Sequence, residues 1–154
     1  MQIAVSGATG FIGKALVQYL EERGYTVLPL ERNMFSDDNA DWLVGAVEAS
    51  DVVVNLAGAP IDHRWSKSYK RKLYESRVGI TRKLVDAINR GGRTRLLISA
   101  SAVGYYDTSA CYDEYDTRKG DGFLAGLCAA WEQEACRVKS GVRLAITRFG
   151  VVLA

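Results

Sequence analysis

Histidine is nearly absent: His63 stands alone among 154 residues. One histidine excludes most zinc-enzyme ligand sets and leaves a Ser-His-Asp relay a single candidate base. Proline occurs only twice against fifteen glycines, which argues against disorder, collagen and Pro-rich linkers. The three cysteines, Cys111, Cys128 and Cys136, are odd in number and wrongly spaced for a disulfide framework or a Cys-x-x-Cys metal site. A reducing, cytoplasmic setting is expected. No apolar run approaches the ~18 residues needed to span a bilayer. The opening Met1-Gln2-Ile3-Ala4-Val5 has neither a basic stretch nor a long apolar one, so no signal peptide or membrane segment is expected. Neither sign of charge prevails, with 20 basic and 18 acidic residues. A 25% charged, 48% hydrophobic chain of this length suits one soluble domain over residues 1–154.

What is present is alternation. Ile3 to Ser6 reads as a short strand followed by a glycine-rich turn. Phe11, Ile12, Ala15, Leu16, Tyr19 and Leu20 then recur at three and four, a helix face. Gly24 stands where that helix needs a left-handed end. Tyr25 to Leu30 predicts a second strand, with Pro29 a hint of an imperfect ladder. Residues 33–50 are poorly patterned and predict a loop, with a short third strand or a helix around Trp42-Leu43-Val44. Asp51 to Gly58 predicts a fourth strand, continuous and apolar as buried parallel strands are. A long helix comes next, from about Ser66 to Asn89, stopped by Gly91-Gly92. Leu96 to Ser99 predicts a further strand. Residues 105–121 predict a loop. Phe123, Leu127, Trp131 and Ala135 mark a helix, and Val142 to Leu153 a last strand. Strand and helix alternating at this spacing predict an α/β fold, a doubly wound parallel sheet with helices on both faces.

Gly7, Gly10 and Gly13 fall between the first strand and the first helix. Gly7 suits the sharp turn, Gly10 lets backbone approach a pyrophosphate, and Gly13 allows close helix–strand packing. The helix N-terminus, with its free N–H groups, then holds phosphate. About 20 residues on, where the ribose 2′ position is read, stand Glu31 and Arg32. An acid there favours NAD, and an arginine the 2′-phosphate of NADP. Both are present. NADP is the expected cofactor, with NAD the alternative.

These residues carry a family likeness. Gly7-x-x-Gly10-x-x-Gly13, Asn55-Leu56-Ala57-Gly58 and Ser99-Ala100-Ser101-Ala102-Val103-Gly104-Tyr105-Tyr106 together resemble the extended and atypical short-chain dehydrogenase/reductase superfamily. More narrowly, Asn55 to Ile61, Arg64-Trp65 with Glu75-Ser76-Arg77-Val78, and Ser101 to Tyr106 are similar to its NAD(P)-dependent nucleoside-diphosphate-sugar epimerase-like subgroup. The resemblance implies an NAD(P)-binding Rossmann domain. It implies that Gly7, Thr9, Gly10, Phe11, Ile12 and Gly13 line the pyrophosphate and that Glu31 and Arg32 sit at the adenosine ribose. It places Leu56 and Ala57 against the adenine side and brings Arg77 to the cofactor. Such proteins continue well past this length, and the later chain closes over a small-molecule substrate. The expectation is therefore a nucleotide-binding half without its substrate-binding half. In related extended enzymes two long helices pair between subunits, so a homodimer is a further expectation.

By the same resemblance, catalysis needs a Ser or Thr to polarise the substrate oxygen and a Tyr-x-x-x-Lys pair to exchange the proton. Ser101 matches the first position. At the places of Tyr and Lys on the helix containing Phe123 stand Gly122 and Gly126. The spacing recurs at Tyr115 and Lys119, in the preceding polar loop. Tyr105 is the alternative proton donor, though a tyrosine without a lysine partner, with a pKa near ~10, is a poor base at neutral pH. Two readings stand: an oxidoreductase or epimerase using Ser101 and Tyr105, or a non-catalytic dinucleotide-binding protein that senses redox state or binds a partner.

Residues 64–95 hold eleven Lys and Arg against Glu75 and Asp86, net +9. This cluster suits an anionic substrate or a solvated helix face. Without an interleaved aromatic stripe or a known motif, no nucleic-acid partner is expected. His63-Arg64-Trp65 is a candidate lid. Cys128 and Cys136 share a helix and are expected to be packed inside.

Overall fold

The computed structural model describes residues 1–153. Five parallel strands, β1 (Gln2–Ser6), β2 (Thr26–Leu30), β3 (Val52–Asn55), β4 (Leu96–Ala102) and β5 (Arg143–Phe149), form one sheet in the order β2-β1-β3-β4-β5. The helices are α1 (Phe11–Glu21), α2 (Ala40–Glu48), α3 (Lys67–Tyr74), α4 (Ile80–Arg90) and α5 (Phe123–Ala135). Alternate strand residues face opposite layers. Ala4, Val53 and Leu97 are fully buried against Leu43 and Val47 of α2 and Leu84, Val85 and Ile88 of α4. Ile3, Val5 and Val54 pack instead on Leu16 and Leu20 of α1. The expected α/β architecture, with helices on both faces, is what forms.

Residues 33–50 contain no strand. Two short 3-10 turns, Arg32–Phe35 and Asp37–Asn39, lead into α2, where Leu43 and Val47 sit one turn apart and are both buried. Val52–Asn55 is therefore the third strand rather than the fourth. Pro29 lies on β2, which pairs with β1 alone, so its missing N–H costs no second ladder. The last strand ends at Phe149 because its neighbour does: Phe149 pairs with Ala102, after which β4 gives way to a 3-10 turn at Val103–Tyr105.

The long helix predicted over 66–89 spans Lys67–Arg90 but is interrupted by one π-helical turn, Glu75–Gly79. A π turn inserts a residue and rotates the remainder of the helix about its axis. Here it accompanies two contacts at once. Ser76 and Arg77 reach the loop after β3, and Thr81 reaches Asn55 at the end of β3. The Thr81 hydroxyl accepts from Asn55 Nδ2 and Trp131 Nε1, both at 2.8 Å, and donates to the Arg77 carbonyl at 2.7 Å. That uses its full capacity of one donor and two acceptors. Ser6 Oγ donates to Asn55 Oδ1 at 2.6 Å, so the network ties β1, β3, α4 and α5 together just below the carboxyl edge of the sheet.

Candidate functional site

The turn after β1 is shaped by contacts that leave no room for side chains. Gly7 has φ +73°, and a Cβ there would lie 2.7 Å from the carbonyl carbon and oxygen of Leu56. A Cβ on Gly13 would collide with the Gly7 carbonyl oxygen and come within 2.8 Å of Ala8 Cα. At Gly10 it would meet only the Gly7 oxygen, at 3.2 Å. Gly7 and Gly13 thus pack backbone on backbone, while Gly10 caps α1 on the open side, in extended conformation and without a side-chain cap. The N–H groups of Phe11, Ile12 and Gly13 lack partners within the helix. Thr9, Gly10 and Phe11 are exposed and Ile12 is half-buried, so the positive end of α1 opens outward between them.

The neighbouring strand ends complete this edge. Ser6 is in register with Leu30, which brings exposed Glu31 and Arg32, at the start of the turn after β2, alongside the glycine turn. Arg32 has no carboxylate partner among the described residues. On the other side, Leu56 N–H donates to the Ser6 carbonyl and Ala57 N–H to Asn55 Oδ1, and both residues lie against Gly7. The sheet therefore brings Gly7 to Gly13, Glu31, Arg32, Leu56 and Ala57 to one edge. A glycine cradle under the outward-facing N-terminus of α1 fits a dinucleotide pyrophosphate.

Arg77 sits differently. Its guanidinium donates to the Ala59 carbonyl at 2.9 Å and lies over the Trp131 ring, 5.5 Å from its centroid. Burial lowers its pKa. It is neither an exposed cation nor paired with Glu75. Its place against Gly58 and Ala59 supports the loop beside the glycine turn. The same loop is held by Ser76 Oγ on Ala59 N–H, Tyr69 on the Pro60 carbonyl and Trp65 on the Ile61 carbonyl.

At the ends of β4 and β5 stands a group that sequence reading did not assemble. Ser101 Oγ donates to Glu132 Oε1 at 2.6 Å. Arg148, in register with Ser101, grips Glu132 through two hydrogen bonds of 2.8 Å. Arg148 also donates to the Tyr106 hydroxyl and lies 4.0 Å from the Tyr105 ring centroid. The hydrogen bonds to Glu132 hold the Arg148 guanidinium well above its usual range. One side of this group opens on a pocket of about 370 Å³, lined by Tyr106, Tyr112, Ile146 and Arg148 among others. The signal for this group was Arg148, a charge in the middle of a predicted apolar strand, which needs a partner when it is not exposed. No local spacing named that partner.

The expected Tyr-x-x-x-Lys chemistry finds no substitute in the loop. Tyr115 is 83% exposed, and Lys119 Nζ donates to the adjacent Gly120 carbonyl, with no helix to align them. Space adjoins Gly122 and Gly126, since a Cβ on either would meet nothing within 4 Å. Tyr105 hydroxyl donates to the Thr117 carbonyl. His63 lies against Tyr69, with ring centroids 5.0 Å apart and the planes tilted by 50°. Cys128 is buried, and burial pushes its thiol up. Cys136, at the C-terminal cap of α5, is exposed rather than packed.

The family model of the NAD dependent epimerase/dehydratase family matches residues 3–152. The chain belongs to that family. Its dinucleotide-binding domain, a Rossmann fold of the short-chain dehydrogenase/reductase type, is what the five strands build. The chain is 38% identical, over 99% of its length, to the chloroplastic SDR39U1 homolog of Arabidopsis thaliana, an epimerase family protein, and spans 49% of it. It is 34% identical to the epimerase family protein YfhF of Bacillus subtilis, of which it covers 55%. Among solved structures, the human epimerase family protein SDR39U1 with NADPH superposes with a TM-score of 0.86 at 33% identity, over 99% of this chain and 55% of that one. The nucleoside-diphosphate sugar epimerase of Corynebacterium glutamicum gives 0.79 at 32% identity, over 100% of this chain and 34% of that one. The chain thus spans about half the length of the curated relatives it matches. No helix among the described residues is long and apolar enough to cross a membrane.

Proposed function

We propose that this chain is the NADP(H)-holding part of an oxidoreductase or epimerase of the extended short-chain type, acting on a sugar nucleotide or similar small molecule when a C-terminal half completes the site. The observation that carries it is the cradle of Gly7, Gly10 and Gly13 under the open end of α1, with unpaired Arg32 beside it. Arg32 meets the 2′-phosphate while Glu31 turns to solvent, and the human relative crystallised with NADPH favours the same choice. Bound NADP(H) would supply hydride exchange at its nicotinamide. The chain's own part is to fix the phosphates on α1, hold Leu56 and Ala57 against the adenine side, and present Ser101 and Tyr105 at the carboxyl edge. Three free thiols suit a cytoplasmic, reducing setting.

A second reading has an observation of its own. Ser101 already donates its proton to Glu132, and glycines stand where tyrosine and lysine are expected. That favours a dinucleotide-binding protein without catalysis, sensing redox state or serving a partner. Calorimetric titration with NADPH and NADH tests the shared premise. NADPH binds more tightly, Gly10→Asp abolishes binding, and Arg32→Ala costs about tenfold for NADPH with little change for NADH. A folded chain that binds neither dinucleotide refutes the proposal.

A further inference from the structure

The fold divides the basic residues of the 64–95 segment into two groups. Beyond α3 four are engaged: Arg77 on the Ala59 carbonyl, Arg82 with Glu134 at 2.8 Å, Lys83 with Asp37 at 2.6 Å, and Arg93 with Asp51 at 3.3 Å, while exposed Arg90 and Arg95 stand apart at the far end. Toward its N-terminal end, Arg64, Lys67, Lys70, Arg71 and Lys72 are all exposed, and none is in ion-pair contact with a carboxylate among the described residues. On α3 the buried side is marked by Leu73 and half-buried Tyr69. Lys67, Lys70 and Arg71, spaced i, i+3 and i+4, therefore share the outer face.

This face has a fixed position relative to the candidate site. Lys70 Nζ lies 5.1 Å from the Phe123 ring centroid, and Trp65, held by its bond to the Ile61 carbonyl, lies 5.7 Å from the same ring. Phe123 opens α5 beside Gly122. One residue on, Leu124 packs where a Cβ on Gly104, the neighbour of Tyr105, would touch it at 3.6 Å. Lys70 thus borders the first turn of α5, next to the space at Gly122 and Gly126, with Lys67 and Arg71 on the same helix.

We infer that Arg64, Lys67, Lys70 and Arg71 form a subsite for the phosphate or pyrophosphate group of a small-molecule ligand entering beside α5, with half-exposed Trp65 as the apolar floor of its mouth. Lys67 to Arg71 covers about 6 Å of helix axis, the reach of one or two phosphates. The next cations along the chain are occupied by protein acceptors, so no track continues for a nucleic-acid backbone, whose binding rests on many phosphate contacts. Exposed lysines and arginines without acidic neighbours attract such an anion at low salt and release it at high salt.

The inference rests on the reading that the substrate is a phosphorylated small molecule, and one experiment separates the two. The chain, saturated with NADPH so that the glycine turn is filled, is titrated calorimetrically with inorganic pyrophosphate at low salt. The double variant Lys70→Gln/Arg71→Gln is compared with a control pair, Arg90→Gln/Arg95→Gln, which loses the same two charges away from α3. Pyrophosphate binding weakens about tenfold in the double variant and stays unchanged in the control pair, with NADPH affinity held within about twofold throughout. Equal pyrophosphate affinity in the double variant overturns the subsite. So does a chain that takes NADPH but no pyrophosphate, or one that holds a single-stranded DNA oligonucleotide more tightly through the same residues. A chain that takes pyrophosphate through Lys70 and Arg71 but neither dinucleotide supports the subsite and overturns the cofactor reading.

Discussion

Replacing Gly13 by alanine inserts one methyl group where the first turn of α1 meets the loop behind it. The new Cβ would stand 2.8 Å from Ala8 Cα and 2.9 Å from Ala8 C, and closer still to the Gly7 oxygen, all backbone atoms. No side chain can rotate away, so the loop must withdraw by roughly 1 Å to restore ordinary contact. Gly7 resists, because it lies at φ +73° against Leu56 and accepts the Gly10 N–H at 3.0 Å. Overpacking of this kind costs about 1–3 kcal/mol, and a lost hydrogen bond adds about 1. Unfolding in urea should therefore show Gly13→Ala less stable by about 2–4 kcal/mol. Withdrawal of the loop also misaligns the N–H groups of α1, and loss of two charge-assisted bonds to phosphate weakens NADPH binding by about 100-fold or more. Gly10→Ala provides the contrast. Its Cβ meets only the Gly7 oxygen, at 3.2 Å, so stability should fall by less than about 1 kcal/mol while NADPH affinity falls steeply. A Gly13→Ala chain as stable as wild type, with NADPH affinity intact, would refute this packing argument.

Two further outcomes concern the interior and the surface. Thr81→Val keeps the shape of a fully buried residue but strands the donors of Asn55 and Trp131. Chemical denaturation should show a loss of about 2–4 kcal/mol, and Thr81→Ser should recover most of it. For Glu134, burial alone would raise the carboxyl, but hydrogen bonds donated by Arg82 and Arg137 outweigh it and hold the group below its ordinary 4.5. Because the folded value is the depressed one, stability from these pairs is complete above about pH 4.5 and drains away as pH falls through the folded value. A Glu134→Gln variant should lack that acid limb in a plot of stability against pH. An unchanged limb would mean that other carboxylates account for it.

Much of this architecture was legible along the chain because it rests on local rules. Continuous apolar runs mark strands buried on both faces, and the 3.6 period marks the helices. Three glycines between a strand and a helix permit one kind of turn. The one ambiguous stretch, 33–50, became a helix because Leu43 and Val47 lie one turn apart with α4 available to bury them, a contact that no local pattern encodes. The candidate cofactor edge was legible for the same reason as the fold. Parallel strands in register end together, and so Gly7, Arg32 and Leu56 come to one edge of the sheet.

The sequence by itself thus determined the order of elements, the glycine turn and the edge on which it lies. Tertiary structure alone decided which polar groups are free. Ser101 finds Glu132 at 31 residues' distance, and Arg82, Lys83 and Arg93 are matched with acids 42 to 52 residues away, while Arg64 to Lys72 are left to solvent. Arg77, which the resemblance brings to the cofactor, is turned inward at the π-helical turn and bonded to a carbonyl of the loop after β3. The physical reason is range. Steric and periodic preferences act between neighbours in sequence, whereas hydrogen bonds and ion pairs form between whichever groups packing brings within about 3 Å.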